Sequence, residues 1–168
     1  ITFTNKASHE MRELARQLVG AKSVKDLGIS TFHSLGVRIL REDGRRLGLK
    51  EQFSILDSDD VMGVLKDAGG ATDNKLARQW QWTISLWKNT GITSDMAPGA
   101  AKDADEQVAA RVMKLYEERL LAYGAVDFDD LIGLPLKLLQ RDAEARAKWQ
   151  ALFQHVLADE YQDTNAVQ

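Results

Sequence analysis

Three features of the sequence predict a mostly helical α/β protein. Short apolar, β-branched stretches at residues 1–4 and 29–31 each run straight into a helical pattern. Successive helical patterns, with no strand between them, then fill the middle of the chain. Near the end, the apolar run 156–158 stops at Asp159-Glu160. Alternating strands and helices imply part of a parallel sheet, and acidic residues at the C-terminal end of a parallel strand lie where open α/β sheets bind ligands.

Asn5 is placed to cap a first helix, whose Ala7, Met11, Leu14, Ala15 and Leu18 share one face. Gly20 and Gly28 bracket a loop, and the strand 29–31 feeds a helix with Phe32, Leu35, Ile39 and Leu40 in register. A helix from Asp57 or Ser58 runs through Val61, Met62 and Leu65 to a Gly69-Gly70 stop. The next carries Leu76, Trp80, Ile84 and Trp87, a stripe read as core rather than as a base-stacking platform. After a loop containing Pro98, a longer helix shows Val108, Val112, Leu115, Tyr116 and Leu120 before Gly124. Asp127 caps a helix through Leu131, Ile132, Leu136 and Leu139 that Pro135 should kink or break, because proline lacks an amide hydrogen. A last helix with Trp149 and Leu152 leads into 156–158, read as a buried strand. The expected division is 1–35 and 126–168 as α/β structure around a helical insertion, 36–125.

Twenty-two Lys and Arg against 25 Asp and Glu give a net charge of −3. That balance excludes a nonspecific basic coat for nucleic acid and leaves local patches and aromatic stacking as the means of any such contact. Cysteine is absent, which removes disulfides and thiolate metal sites and suits a reducing cytoplasm. No apolar run reaches membrane-spanning length, so no membrane association is expected. The three histidines, His9, His33 and His155, show no metal-ligand spacing. The chain opens inside an apolar stretch and stops soon after the acidic pair, and it is read as an internal piece of a longer protein.

An Asp-Glu pair alone is a weak signal, since a solvated pair at a strand end reads the same way. The surrounding string Asp159-Glu160-Tyr161-Gln162-Asp163-Thr164-Asn165 narrows the reading. It resembles the Walker B motif of the UvrD/Rep-type superfamily 1 DNA helicases. Thr2-Phe3-Thr4-Asn5-Lys6-Ala7 is similar to that family's motif Ia, with Ser8 where alanine is usual. Thr31-Phe32-His33-Ser34-Leu35-Gly36 resembles motif Ib, and Asp127-Phe128-Asp129-Asp130-Leu131 a fourth signature. All four occur in the family's order.

The resemblance implies a partial RecA-like P-loop NTPase motor domain with a helical insertion, in a bacterial cytoplasmic enzyme that uses ATP and Mg²⁺. Asp159 would support Mg²⁺ through water, and Glu160 would act as general base. Gln162 would reach the nucleotide and, with Asp163, couple it to the DNA track. Phe3, Thr4, Asn5 and Lys6, extended by Thr31 and His33, would contact single-stranded DNA. The implied parent is a 3′ to 5′ translocase and helicase in replication or repair, acting on single strands and junctions together with its remaining domains. The 168 residues contain no Gly-x-x-x-x-Gly-Lys-Ser/Thr loop, so the piece alone should be inactive. The alternative is a noncatalytic single-strand-binding or scaffold module of helicase-like shape.

Two further clusters have competing readings. Asp127, Asp129 and Asp130 suit helix capping better than a metal site, because their spacing is not that of a calcium loop. Arg38, Arg41, Arg45 and Arg46 follow motif Ib at offsets that share one helical side. They would form either a phosphate-binding stripe or a solvated, salt-bridged face.

Overall fold

Thr2 pairs with Thr31 in a parallel bridge, closed by Thr2 N–H donating to the Ser30 carbonyl at 3.1 Å and Phe32 N–H to the Thr2 carbonyl at 3.3 Å. In this computed structural model, which describes all residues Ile1–Gln168, that bridge is the centre of a minimal parallel ribbon. On its other side the Ile1 nitrogen donates to the Leu157 carbonyl at 2.6 Å, and Asp159 N–H donates to the Ile1 carbonyl at 2.9 Å. Segment 157–159 therefore lies beside residue 1 with parallel hydrogen bonding, although it has no regular strand geometry. The expected burial of 156–158 is not found: Val156 and Leu157 are 62% and 84% exposed. Only one edge of the segment is paired and no helix covers it, so its apolar side chains have nothing to pack against.

Helix α1 (Asn5–Val24) is capped by Thr4, whose side chain accepts from Ala7 N–H, and not by Asn5. The expected loop from Gly20 is instead helix interrupted at that residue, which adopts φ 85°, a conformation glycine reaches without a Cβ penalty. The face predicted to be buried packs against little: α1 has no buried residue, and Leu14 and Leu18 are exposed. Helix α2 (Phe32–Asp43) starts at the Thr31 cap and buries Ile39 and Leu40.

A strand pair appears where only helices were expected. β1 (Ser54–Ile55) pairs in parallel with β2 (Ala125–Val126), in register Ser54 to Ala125 and Ile55 to Val126. Between them lie α3 (Ser58–Gly69), α4 (Asn74–Asn89), the single turn α5 (Ala97–Ala100) and α6 (Ala104–Tyr123). Their ends follow capping chemistry: Asp57, Asp73 and Asp103 accept from first-turn amides, and Gly70 and Gly124 adopt left-handed conformations at the stops. Leu65, Trp80, Ile84, Trp87, Met113 and Tyr116 fill the core of this lobe, as the tryptophan stripe predicted.

Helix α7 (Asp130–Arg141) runs through Pro135 without the expected break, and α8 (Ala143–Leu152) follows the Asp142 cap. Helix α2 packs between two small cores, one with Leu49, Phe53, Val126 and Leu131, the other with Leu138, Ala145 and Trp149. A division at residue 35 therefore falls inside α2, whose buried side chains join α7 and α8. No helix is long and apolar enough to cross a membrane.

Candidate functional site

The ribbon brings three motif segments together. Residues 1–3 lie in the middle, with the start of α2 on one side and the Asp159-Glu160 turn on the other. Asp159 and Glu160 are exposed. Glu160 is the only non-glycine residue with positive φ (51°), a conformation costing of order 1 kcal/mol that concentrates at functional sites. Its carboxylate accepts a short hydrogen bond from the Gln162 amide. Its carbonyl accepts from Asp163 N–H at 2.9 Å, closing a tight turn over Tyr161–Asp163. No group of three or more His, Asp or Glu side chains is arranged to hold a metal. Mg²⁺ bound through one or two carboxylates, water and phosphate oxygens requires no such cage, so the donor set at Asp159 and Glu160 fits that ion.

Aromatic side chains line the opposite shoulder of the ribbon. Phe3 and Phe32 are tilted against each other at 5.4 Å, and His33 stacks on Phe128 at 4.0 Å. Phe128 is 59% exposed. Burial lowers the His33 pKa, partly offset by the Asp129 carboxylate, which raises it. Asn5 and Lys6 project from the first turn of α1, with Lys6 3.9 Å from Glu10. Thr4 and Thr31 both cap helices, and Thr31 is buried with its hydroxyl engaged by Ser34. Thr31 therefore shapes this surface from beneath rather than facing outward.

The arginines do not form one free row. Arg38 pairs with Glu42 at 3.1 Å and lies over Trp149, while Arg41 lies 3.8 Å from the Phe53 ring centroid and donates to the Glu51 carbonyl. Arg45 pairs with the Glu51 carboxylate, and Arg46 with Asp142 and Glu144. Each guanidinium already has a partner within the chain, which favours the salt-bridged-face reading.

The acidic cluster is neither a simple cap nor a metal site. The Lys88 ammonium, with its side chain only 8% exposed, sits 2.6 Å from Asp127 Oδ2 and 2.7 Å from Asp130 Oδ1. Tyr116 donates its hydroxyl to Asp127 at 2.9 Å, and Asp127 accepts from Asp130 N–H at 2.8 Å. Burial opposes the lysine's charge, but the two carboxylates outweigh it and hold the ammonium protonated well above the ordinary range. Burial likewise pushes Asp127 upward, but Lys88 outweighs it and leaves Asp127 low. For Asp130, burial and the neighbouring Asp127 prevail over Lys88, and its pKa is raised. Beside this cluster, Asn89 donates to Asp129 at 2.8 Å and accepts from Asn165 at 2.9 Å.

The whole chain, residues 1–168, matches the UvrD/REP helicase N-terminal domain. The chain belongs to that helicase family. Among curated relatives, the ATP-dependent DNA helicase Rep of Salmonella typhimurium and that of Escherichia coli are each 43% identical over 171 residues. The ATP-dependent DNA helicase PcrA of Staphylococcus epidermidis is 41% identical over 172 residues. Each alignment covers 100% of this chain but only 24% to 25% of the relative, so the chain spans about a quarter of those proteins.

Within this UvrD/Rep-family domain, the sequence alone assigns Phe128 no role beyond its place in a signature, and the structure places it as the exposed ring stacked with His33. Nor does the sequence assign a role to Lys88, Asn89 or Asn165. Their partners lie 39 to 76 positions away, and no local periodicity reports such contacts.

Proposed function

We propose that this chain supplies part of the RecA-like P-loop motor domain of an ATP-dependent DNA helicase, with α3 to α6 as its helical insertion. The observation that carries this reading is that neighbouring residues pair on opposite sides, Thr2 with the start of α2 and Ile1 with segment 157–159. This suspends the Phe3 to Lys6 segment and the Asp159-Glu160 turn from one backbone ribbon, so a movement of either is felt by the other.

Glu160 accepts a proton from the water that attacks the γ-phosphate, the Pγ–O bond to ADP breaks, and Gln162 holds the carboxylate in place. Asp159 would help to hold Mg²⁺. A bound Mg²⁺ supplies charge neutralisation and phosphate positioning. Phe3, His33 and Phe128 offer aromatic surface to the bases of single-stranded DNA, while Asn5 and Lys6 face its backbone. Thr4 and Thr31 act in this track through the helix starts they cap. The parent protein translocates 3′ to 5′ and opens junctions with its remaining domains. The 168 residues alone, without a phosphate loop, do not hydrolyse ATP.

The test is Glu160→Gln in the full-length protein. Glutamine keeps the size but loses carboxylate basicity. The expected result is near-normal Mg²⁺-ATP and single-strand affinity with DNA-stimulated hydrolysis reduced at least about 100-fold, the lower end of general-base contributions. Near-normal turnover would remove Glu160 as base, and absence of DNA-stimulated hydrolysis in the unsubstituted full-length protein would favour a noncatalytic module.

A further inference from the structure

We propose that Asn89, at the end of α4 in the helical lobe, is a positioning residue that couples single-strand binding to ATP hydrolysis. The inference rests on the preceding assignment of Glu160 and of the Phe128-His33 surface. Its observation is separate: a path of backbone turns and two side-chain hydrogen bonds, Asn165 to Asn89 and Asn89 to Asp129, joins those two places through the lobe.

From the hydrolytic end, Glu160 opens the tight turn Tyr161–Asp163. Thr164 closes that turn by donating backbone N–H and side-chain hydroxyl to the Tyr161 carbonyl at 3.1 and 2.7 Å. Asn165 follows directly. Its Oδ1 accepts from Val167 and Gln168 N–H, both at 3.1 Å, and Val167 is buried beside Gly91 in the turn after α4. The segment is thus seated on the lobe rather than free to swing. Asn165 then donates its Nδ2 to Asn89 Oδ1 at 2.9 Å. Asn89 Nδ2 donates to Asp129 Oδ1 at 2.8 Å and to the Ser85 carbonyl at 2.9 Å. Asp129 adjoins Phe128, the ring stacked on His33, and its charge acts on the His33 imidazole.

The chemistry explains why an asparagine stands at position 89. The Asp129 carboxylate only accepts, which forces the Asn89 amide nitrogen toward it and leaves the oxygen for Asn165. A carboxylate at position 89 would lose the donor, and an aliphatic residue both contacts. A ring displaced by a stacking base moves Asp129, and the amide transmits that shift to Asn165 and the Glu160 turn. Both contacts need well-defined geometry, so the coupling is strong only when DNA has ordered the Phe128 side.

The test uses the full-length helicase with an oligo-dT single strand as probe, and Glu160→Gln as a parallel control. Asn89→Ala should leave DNA-free hydrolysis and the half-saturating DNA concentration within about twofold, and lower the rate at saturating DNA on the order of fivefold to tenfold, the usual size of a coupling between sites. Asn89→Asp, which sets two carboxylates together, should show the same loss. The double variant N89D/D129N reverses donor and acceptor between these two side chains, gives up only the bond to the Ser85 carbonyl, and should restore most of the stimulation.

Normal stimulation in Asn89→Ala beside an inactive Glu160→Gln would overturn the relay and leave the hydrolytic reading intact. A parallel fall in DNA-free hydrolysis, or a loss confined to DNA affinity, would also overturn it by assigning Asn89 a structural or binding role. An active Glu160→Gln would instead sink the underlying assignment. If Asn89→Ala does not fold, the pair N89D and N89D/D129N decides, and failure of the double variant to recover stimulation overturns the proposal.

Discussion

Gly36 and Leu131 stand so close that a methyl group on Gly36 would lie 1.7 Å from the Leu131 carbonyl oxygen. That oxygen is the one Pro135, four residues on, cannot bond, because proline has no amide hydrogen. Helix α7 thus turns a carbonyl that lacks its i+4 amide partner toward α2, and the glycine lets the two backbones meet. Proline here sets a helix–helix contact without breaking α7.

Gly36→Ala should therefore destabilise the protein by about 3 kcal/mol, the upper part of the range for overpacking against atoms that cannot give way. Gly63→Ala is the control. Gly63 lies inside α3 with nothing within 4 Å of an added Cβ, so alanine should stabilise by about 0.5 to 1 kcal/mol through helix propensity. Urea unfolding midpoints of both variants check the pair. Equal and small effects would refute the close contact.

Much of the fold was legible because its signals are local. Asp57, Gly70, Gly124 and the Trp80, Ile84, Trp87 stripe each announce themselves within one or two turns, and the helices start and stop where they indicate. The pairing of β1 with β2 was not legible, since two residues per strand are too few for alternation to register. The apolar run 156–158 read as buried because hydrophobicity reports tendency, and burial also needs a covering layer. The same limit explains the arginines. Offsets place them on one side of a helix, but α2 ends at Asp43, before Arg45 and Arg46, and apart from Glu42 beside Arg38 the groups that meet them, Glu51, Phe53, Asp142 and Glu144, come from elsewhere. At the candidate site, the motif strings located Asp159, Glu160 and Phe3, while the Lys88 and Asn89 contacts depend on the lobe folding back.

Lys88→Met should cost about 3 to 5 kcal/mol at neutral pH, because removing the ammonium strands two buried carboxylates. The pH response carries the distinctive sign. Without Lys88, burial and mutual repulsion raise the folded-state pKa of the Asp127-Asp130 pair above its unfolded value. A raised pKa gives stability that is fully present below the unfolded value, near 3.8, and lost as pH rises through the folded one. The variant should thus recover toward wild type on acidification. Unfolding midpoints at pH 7.5 and 5.5 test this, and a difference from wild type that does not narrow at the lower pH would exclude the ion cluster as its cause.

His33 carries the opposite sign. Burial lowers its pKa below the ordinary 6.5, with the Asp129 carboxylate only partly restoring it, and the stacked Phe128 ring covers one face of the imidazole. The unfolded chain then binds the proton more readily, so stability is present above 6.5 and lost as pH falls through the folded value. Asp130, with a raised pKa, acts in the reverse direction as the solution is acidified, so the total curve does not isolate His33. The difference between wild type and His33→Gln does, because the variant keeps Asp130 and loses the imidazole. Between pH 7.5 and 5.5 the wild type should lose more stability than His33→Gln, and Phe128→Ala, which exposes the imidazole to water, should reduce that excess. If Phe128→Ala leaves the excess unchanged, the stacked ring does not set the His33 pKa, and the two side chains do not form one surface in solution.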